Sequence, residues 1–227
     1  MQGERPSRED DPAGQDDPGD RTPFRIGPIS LIGVSAVDAL FWVVCLVLVV
    51  AGSSKLVAPE QVASTLVALG GPRRSSRSAS SVSGVLAARV VGAFEVVLGI
   101  AGLAVGGTVI ALGVSAVYVG FAVVVVVARR RGLSGCGCFG ATSAPPSWVH
   151  VAVNVGSALV AAVAAATSGG PAPAADGLGA VSSSTAMAVA ALVLLATALV
   201  VALDTVVADV VEATRALRDQ DRGVETA

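Results

Sequence analysis

Polar residues dominate the start of the chain, and five long apolar runs follow. Residues 1–24 are rich in Asp, Glu, Arg, Pro and Gly and hold almost nothing apolar. Such a segment cannot bury enough surface to offset the entropy of ordering, so a disordered acidic tail is expected there. The apolar runs extend from Ser30 to Ala51, Val82 to Val105, Thr108 to Ala128, Trp148 to Ala166 and Thr185 to Leu203. Each approaches the roughly 20 apolar residues that cross a bilayer as a helix. In hydrocarbon every backbone polar group must be paired within its own segment, so each run is predicted to be a helix. That constraint overrides the strand preference of the Val123–Val127 stretch.

The breaks between runs carry their own signals. Gly106-Gly107 is the sole interruption between the second and third runs and predicts a tight helical hairpin. Pro145-Pro146-Ser147-Trp148 predicts the start of the fourth helix: the prolines stop what precedes, Ser147 caps, and Trp148 suits an interface. Residues 168–184, mainly Gly, Pro, Ala and Ser, read as a flexible loop. The expected organisation is thus a tail at 1–24, a four-helix membrane domain at 30–167, the loop at 168–184, a fifth helix at 185–210 and a polar tail at 211–227.

Composition reinforces this picture. Of 227 residues 53% are hydrophobic and 14% charged, and the mean hydropathy is +0.76. A soluble domain carries roughly a quarter charged residues, so the expectation is a multi-pass protein of the cell membrane. The net charge of −2 offers no basic excess, and 4% aromatics offer no stacking platform, so nucleic acid is not an expected partner. The first apolar run lacks the basic start and small-residue cleavage site of a secretory signal, and it is expected to remain as an anchor.

Lys and Arg counts set an orientation. The first and third loops and the C-terminus hold ten basic residues against four ahead of the first span, Arg5, Arg8, Arg21 and Arg25. This bias puts the tail outside and the third loop inside.

That third loop holds the sharpest chemistry. It contains Cys136-Gly137-Cys138-Phe139-Gly140, just after Arg129, Arg130 and Arg131. Two thiols one residue apart can close a small, strained disulfide if the chain folds back, and Gly137 removes the Cβ that would obstruct this. Strain makes a disulfide labile and suits it to exchange. Nearby arginines favour the reactive thiolate. Cys136, Cys138 and His150 could alternatively share a metal ion, although zinc sites usually have wider cysteine spacing and a fourth ligand. A third reading is a structural membrane subunit without chemistry.

Other polar residues fall in or beside the spans. Glu95 lies near the middle of the second. A charge there costs about 2.5–3.5 kcal/mol on insertion scales and should face the bundle interior. Its expected roles are proton relay, quinone contact, or pairing with Arg89 or a serine. Asp38, Lys55 and Asn154 complete a candidate intramembrane polar site, with Asn154 expected to bridge helices. Cys45 reads as a small apolar filler, with exchange with the loop pair as the alternative. His150 reads as a satisfied interfacial histidine.

Several of these elements together resemble a known family. Gly52-Ser53-Ser54-Lys55-Leu56, Glu95 with Leu98-Gly99, Cys136-Gly137-Cys138-Phe139-Gly140, and Ser147-Trp148 with Asn154 are similar to the methylamine-utilisation MauE family, itself similar to DoxX-like membrane proteins. The resemblance covers about residues 35–165. It departs at Val153, where the family usually has arginine, and it does not reach the fifth helix or the acidic tail.

The resemblance implies an all-α, polytopic transmembrane bundle: a four-helix DoxX/MauE-like core, here with one additional C-terminal helix. It also implies a thiol–disulfide redox component beside a thioredoxin-like or disulfide-containing partner, assisting that partner's maturation. The namesake role is maturation of the small subunit of methylamine dehydrogenase. No cofactor is evident; a membrane quinone is compatible as electron donor or acceptor, though no quinone motif is visible. Export of the partner would require the cysteine loop outside, opposite to the side the basic residues favour.

Overall fold

The computed structural model describes residues 30–31, 34–60, 62–65, 77–133, 146–203, 206, 210 and 213–214. The acidic tail at 1–24 and the Cys136–Gly140 element lie outside the described residues, as does most of the C-terminal tail. Six helices of six or more residues are described: α1 (Ala36–Val57), α2 (Arg77–Ala104), α3 (Thr108–Arg130), α4 (Trp148–Ala166), α5 (Ala174–Gly179) and α6 (Ser183–Ala202). Among the described residues the only sheet is a minimal antiparallel hairpin of β1 (Ser30–Leu31) and β2 (Val34–Ser35) ahead of α1. Among the described residues five helices are long and apolar enough to cross a membrane: α1, α2 from Val82, α3, α4 and α6. At 1.5 Å per residue, the 22 residues of α1 extend about 33 Å, enough for a hydrocarbon core of about 30 Å. This chain is a multi-pass α-helical membrane protein.

The helices pack as two antiparallel pairs with an appended fifth span. α1 lies along α2, α3 lies along α4, and α6 leans on α1. Residues 41, 45, 48, 52 and 55 form one of the buried stripes of α1, and residues 84, 88, 92, 95, 99 and 102 form the buried stripe of α2. Both stripes repeat every three to four residues, the helical period. Small residues on the α2 stripe let the backbones approach, the usual basis of helix association in lipid. A Cβ on Gly99 would sit 2.7 Å from Cys45 O, and one on Gly102 would sit 2.5 Å from Cys45 Sγ. Large apolar side chains such as Leu86, Phe94, Val109, Leu159 and Leu195 face outward, which suits a lipid surround.

The first span differs from its expected limits at both ends. It starts at Ala36 rather than Ser30, because Ser35 caps it: the Ser35 hydroxyl accepts from the Asp38 N–H at 3.1 Å. It runs past Ala51 to Val57: Gly52 packs on Gly92, Ser54 Oγ donates to Ala51 O at 2.8 Å, Lys55 pairs with Glu95, and Pro59 provides the stop. Residues 168–184 also depart from a plain flexible loop. They contain α5, and Trp42 Nε1 donates to Ala172 O at 3.0 Å, while the Ala172 N–H donates to Asp38 Oδ1 at 3.1 Å. The α2–α3 turn is held to the same segment. Gly106 and Gly107 have φ of +65° and +84°, and the Gly107 N–H donates to Pro171 O at 2.9 Å. One end of the bundle is therefore tied together by Asp38, Trp42, Gly107 and residues 171–177. Because the helices alternate in direction, Val57, Arg77, Arg130 and Trp148 fall at the other.

Candidate functional site

Lys55 and Glu95 form an ion pair inside the bundle. Lys55 Nζ donates to Glu95 Oε2 at 2.7 Å, and the two residues are 4% and 0% exposed. The pair exists because two glycines bring α1 and α2 together. A Cβ on Gly52 would lie 2.6 Å from Gly92 O, and one on Gly92 would lie 2.7 Å from Gly52 O and 3.0 Å from Lys55 Cβ. Lys55 stands three residues after Gly52, and Glu95 three after Gly92; in this antiparallel pair they flank the glycine contact on the facing sides of the helices, and each side chain leans back toward it.

The lysine has further support. Its Nζ donates to Ala51 O one turn back at 3.2 Å and lies 5.3 Å from the centroid of the Phe121 ring on α3. Tyr118, one turn before Phe121, donates to Val44 O at 2.8 Å and meets Phe121 edge to face. Three helices thus converge on the pair. The carboxylate is asymmetric. Oε2 takes the lysine, whereas Oε1 is buried and has no hydrogen-bond partner among the described residues. Among the described residues Glu95 pairs neither with Arg89, which is exposed, nor with a serine. Arg89 is six positions away on the same helix, which is not one face.

At the Arg130 end, α3 and α4 frame the segment that carries the cysteines. Arg129 donates to Pro146 O at 3.3 Å, and its guanidinium lies 5.0 Å from the Trp148 ring centroid. Ser147 and His150 form a reciprocal cap at the start of α4: the His150 N–H donates to Ser147 Oγ, and the Ser147 N–H donates to His150 Nδ1 at 3.2 Å. Ser147 Oγ is also 2.7 Å from Nδ1. His150 is buried, and its Nδ1 is engaged in capping. Asn154 does not bridge helices among the described residues. Its Nδ2 donates to His150 O, one turn back on the same helix, at 2.7 Å.

Cys136, Gly137, Cys138, Phe139 and Gly140 lie outside the described residues, and so does any metal site that Cys136 and Cys138 would form with His150. Among the described residues no three His, Cys, Asp or Glu side chains are grouped to hold a metal ion. Asp38 sits in the first turn of α1, where its carboxylate accepts from Ser35 Oγ at 2.7 Å and from the Ala172 N–H. It is thus at the opposite end of α1 from Lys55. Cys45 is a free thiol wholly buried against Phe41, Gly99 and Gly102. Ten residues separate it from Lys55, about 15 Å along the helix.

The sequence reading did not find the Lys55–Glu95 contact or the roles of Gly52, Gly92, Phe121 and Arg129. The available signal was that Gly52 and Lys55, and Gly92 and Glu95, each share one helix face, a close-contact glycine beside an intramembrane charge of opposite sign.

No curated protein and no solved structure gives a significant match to this chain. A family model does match, that of the methylamine utilisation protein MauE, over residues 33–167. The match covers α1 to α4 and so includes the ion pair, the α3–α4 frame and the cysteine segment between them. With more than half of its length matched, this chain belongs to the MauE family.

Proposed function

We propose that this protein is a membrane thiol–disulfide redox component that assists the maturation of a partner protein, with Cys136 and Cys138 as its exchanging pair. The observation that carries this reading is the Cys136-Gly137-Cys138 spacing within the MauE match. The chemistry is balanced by exchange with a thioredoxin-like partner. A thiolate of the pair attacks a partner disulfide, a mixed disulfide forms, and one partner thiolate leaves. The second thiol, after losing its proton, attacks the mixed disulfide. The pair ends oxidised and the partner reduced by two electrons; the reverse sequence oxidises the partner.

The surroundings support the reading in two ways. Arg129, Arg130 and Arg131 precede the pair in sequence and favour thiolate. The Arg129–Trp148 contact and the Ser147–His150 cap fix the two stems between which the segment runs. The test is substitution of each cysteine by serine in the full chain, in its native membrane. Removal of the resolving thiol should leave a partner covalently attached and releasable by reductant. Retention of no thiol-linked protein by either variant, with normal partner maturation when both cysteines are serine, would contradict the proposal.

A further inference from the structure

We propose that Glu95 is a buried proton-exchange site, taking up a proton on Oε1 while Oε2 continues to hold Lys55. The reaction is simple: a proton from the medium forms an O–H bond on Oε1, and the carboxylate becomes a neutral carboxylic acid. No electrons move, and the site gains one positive charge, which resides on Lys55.

Two features of the geometry point to this. A purely structural ion pair away from water should have both carboxylate oxygens satisfied, since each unmet acceptor is costly there. Here Oε2 has the lysine at 2.7 Å, while Oε1 is buried with no partner among the described residues. A proton can therefore bind Oε1 without displacing any contact seen at Oε2. Lys55, secondly, is provided for in both states. Ala51 O at 3.2 Å and the Phe121 face at 5.3 Å stabilise the ammonium after the carboxylate charge is lost.

The neighbouring groups leave Lys55 as the charge that contacts Glu95 among the described residues. From α1 the same buried stripe also presents Cys45, which sits against Gly99 and Gly102. α2 itself contributes Gly92 and Gly99 beside Glu95. α3 brings Phe121 and Tyr118, the latter bonded to Val44 O. On α4 the buried polar residues are Asn154, Ser157 and His150, whose Nδ1 is engaged by Ser147. The inference does not depend on the cysteine pair.

Infrared difference spectroscopy of the full chain in lipid vesicles, stepped from alkaline to acid pH, tests it. The expected result is a protonated-carboxyl carbonyl band that appears on acidification, shifts in D2O and is lost in E95Q. The doubly neutral K55Q/E95Q variant, which buries no charge, should lose the same band and covers the case in which E95Q alone does not fold. In K55Q the pH dependence of the Glu95 band should change, because the carboxylate has lost its cation. A band unaffected by E95Q, a Glu95 band present at all pH in the wild type, or no Glu95 band at any pH each overturns the proposal. In the last case the pair is permanently ionised.

Discussion

Gly52 and Gly92 face each other so closely that a methyl group on either would meet the other's carbonyl oxygen at 2.6–2.7 Å. This contact sets the α1–α2 distance and so determines whether Lys55 can reach Glu95. G92A should destabilise the bundle by about 1–3 kcal/mol, the usual cost of overpacking. G52A should cost a similar amount. Unfolding titrations in detergent would measure both. Stability equal to wild type in either variant would mean that the backbones do not approach as described.

Breaking one side of the ion pair should cost more than removing both. K55M leaves a buried carboxylate without its cation, and E95L leaves a buried ammonium, each expected to destabilise by about 3–5 kcal/mol. The K55M/E95L double variant should recover most of that loss, since apolar side chains of similar volume need no desolvation. A double-mutant cycle on unfolding free energies checks this. Additive losses would indicate that the two side chains do not interact.

Arg129 should matter locally more than globally. Its contacts with Pro146 O and the exposed Trp148 ring join the end of α3 to the start of α4. R129A should lower global stability by about 1 kcal/mol, as for an exposed cation–π contact. Hydrogen exchange should nevertheless rise at residues 131–133 and 148–151. R129K keeps the charge but loses the planar fork, and should restore only part of the protection.

At the opposite end, Asp38 and Trp42 bind the N–H and C=O of a single residue, Ala172. W42F keeps much of the ring but loses the indole donor, and should cost about 1 kcal/mol. G177A should be as damaging, because its Cβ would lie 2.6 Å from Trp42 Cη2. Faster amide exchange across residues 172–179 is the expected signature of both.

The spans were legible because hydrocarbon imposes one simple demand, a long apolar helix, that a sequence meets or fails. The turn at Gly106-Gly107 and the Ser147 cap were equally readable, since glycine and serine are local signals; that α2 packs mainly on α1, and α3 on α4, and that Pro171 holds the turn, was not. The end of α1 was not. Gly52-Ser53-Ser54-Lys55 looks like a polar exit from the membrane, and its true setting depends on Glu95, 40 residues away. Lys55 and Glu95 were both visible as candidate site residues, but their pairing needs the rotation of each helix about its axis, which Gly52 and Gly92 set. α5 was missed for a similar reason. Its six residues, Ala174–Gly179, have no side-chain cap, and their anchorage comes from Trp42 and Asp38 more than 130 positions earlier.

Thiol–disulfide exchange by this protein requires Cys136 and Cys138 to join and separate under physiological conditions. The most direct measurement is a redox titration of the full chain in native membranes, with thiols trapped by alkylation at each potential and their state read by mass spectrometry. The account predicts a two-electron transition in which Cys136 and Cys138 pass together between alkylated and disulfide-linked forms while Cys45 stays a thiol. Two cysteines that remain alkylated across the whole range, or that titrate separately, would contradict it.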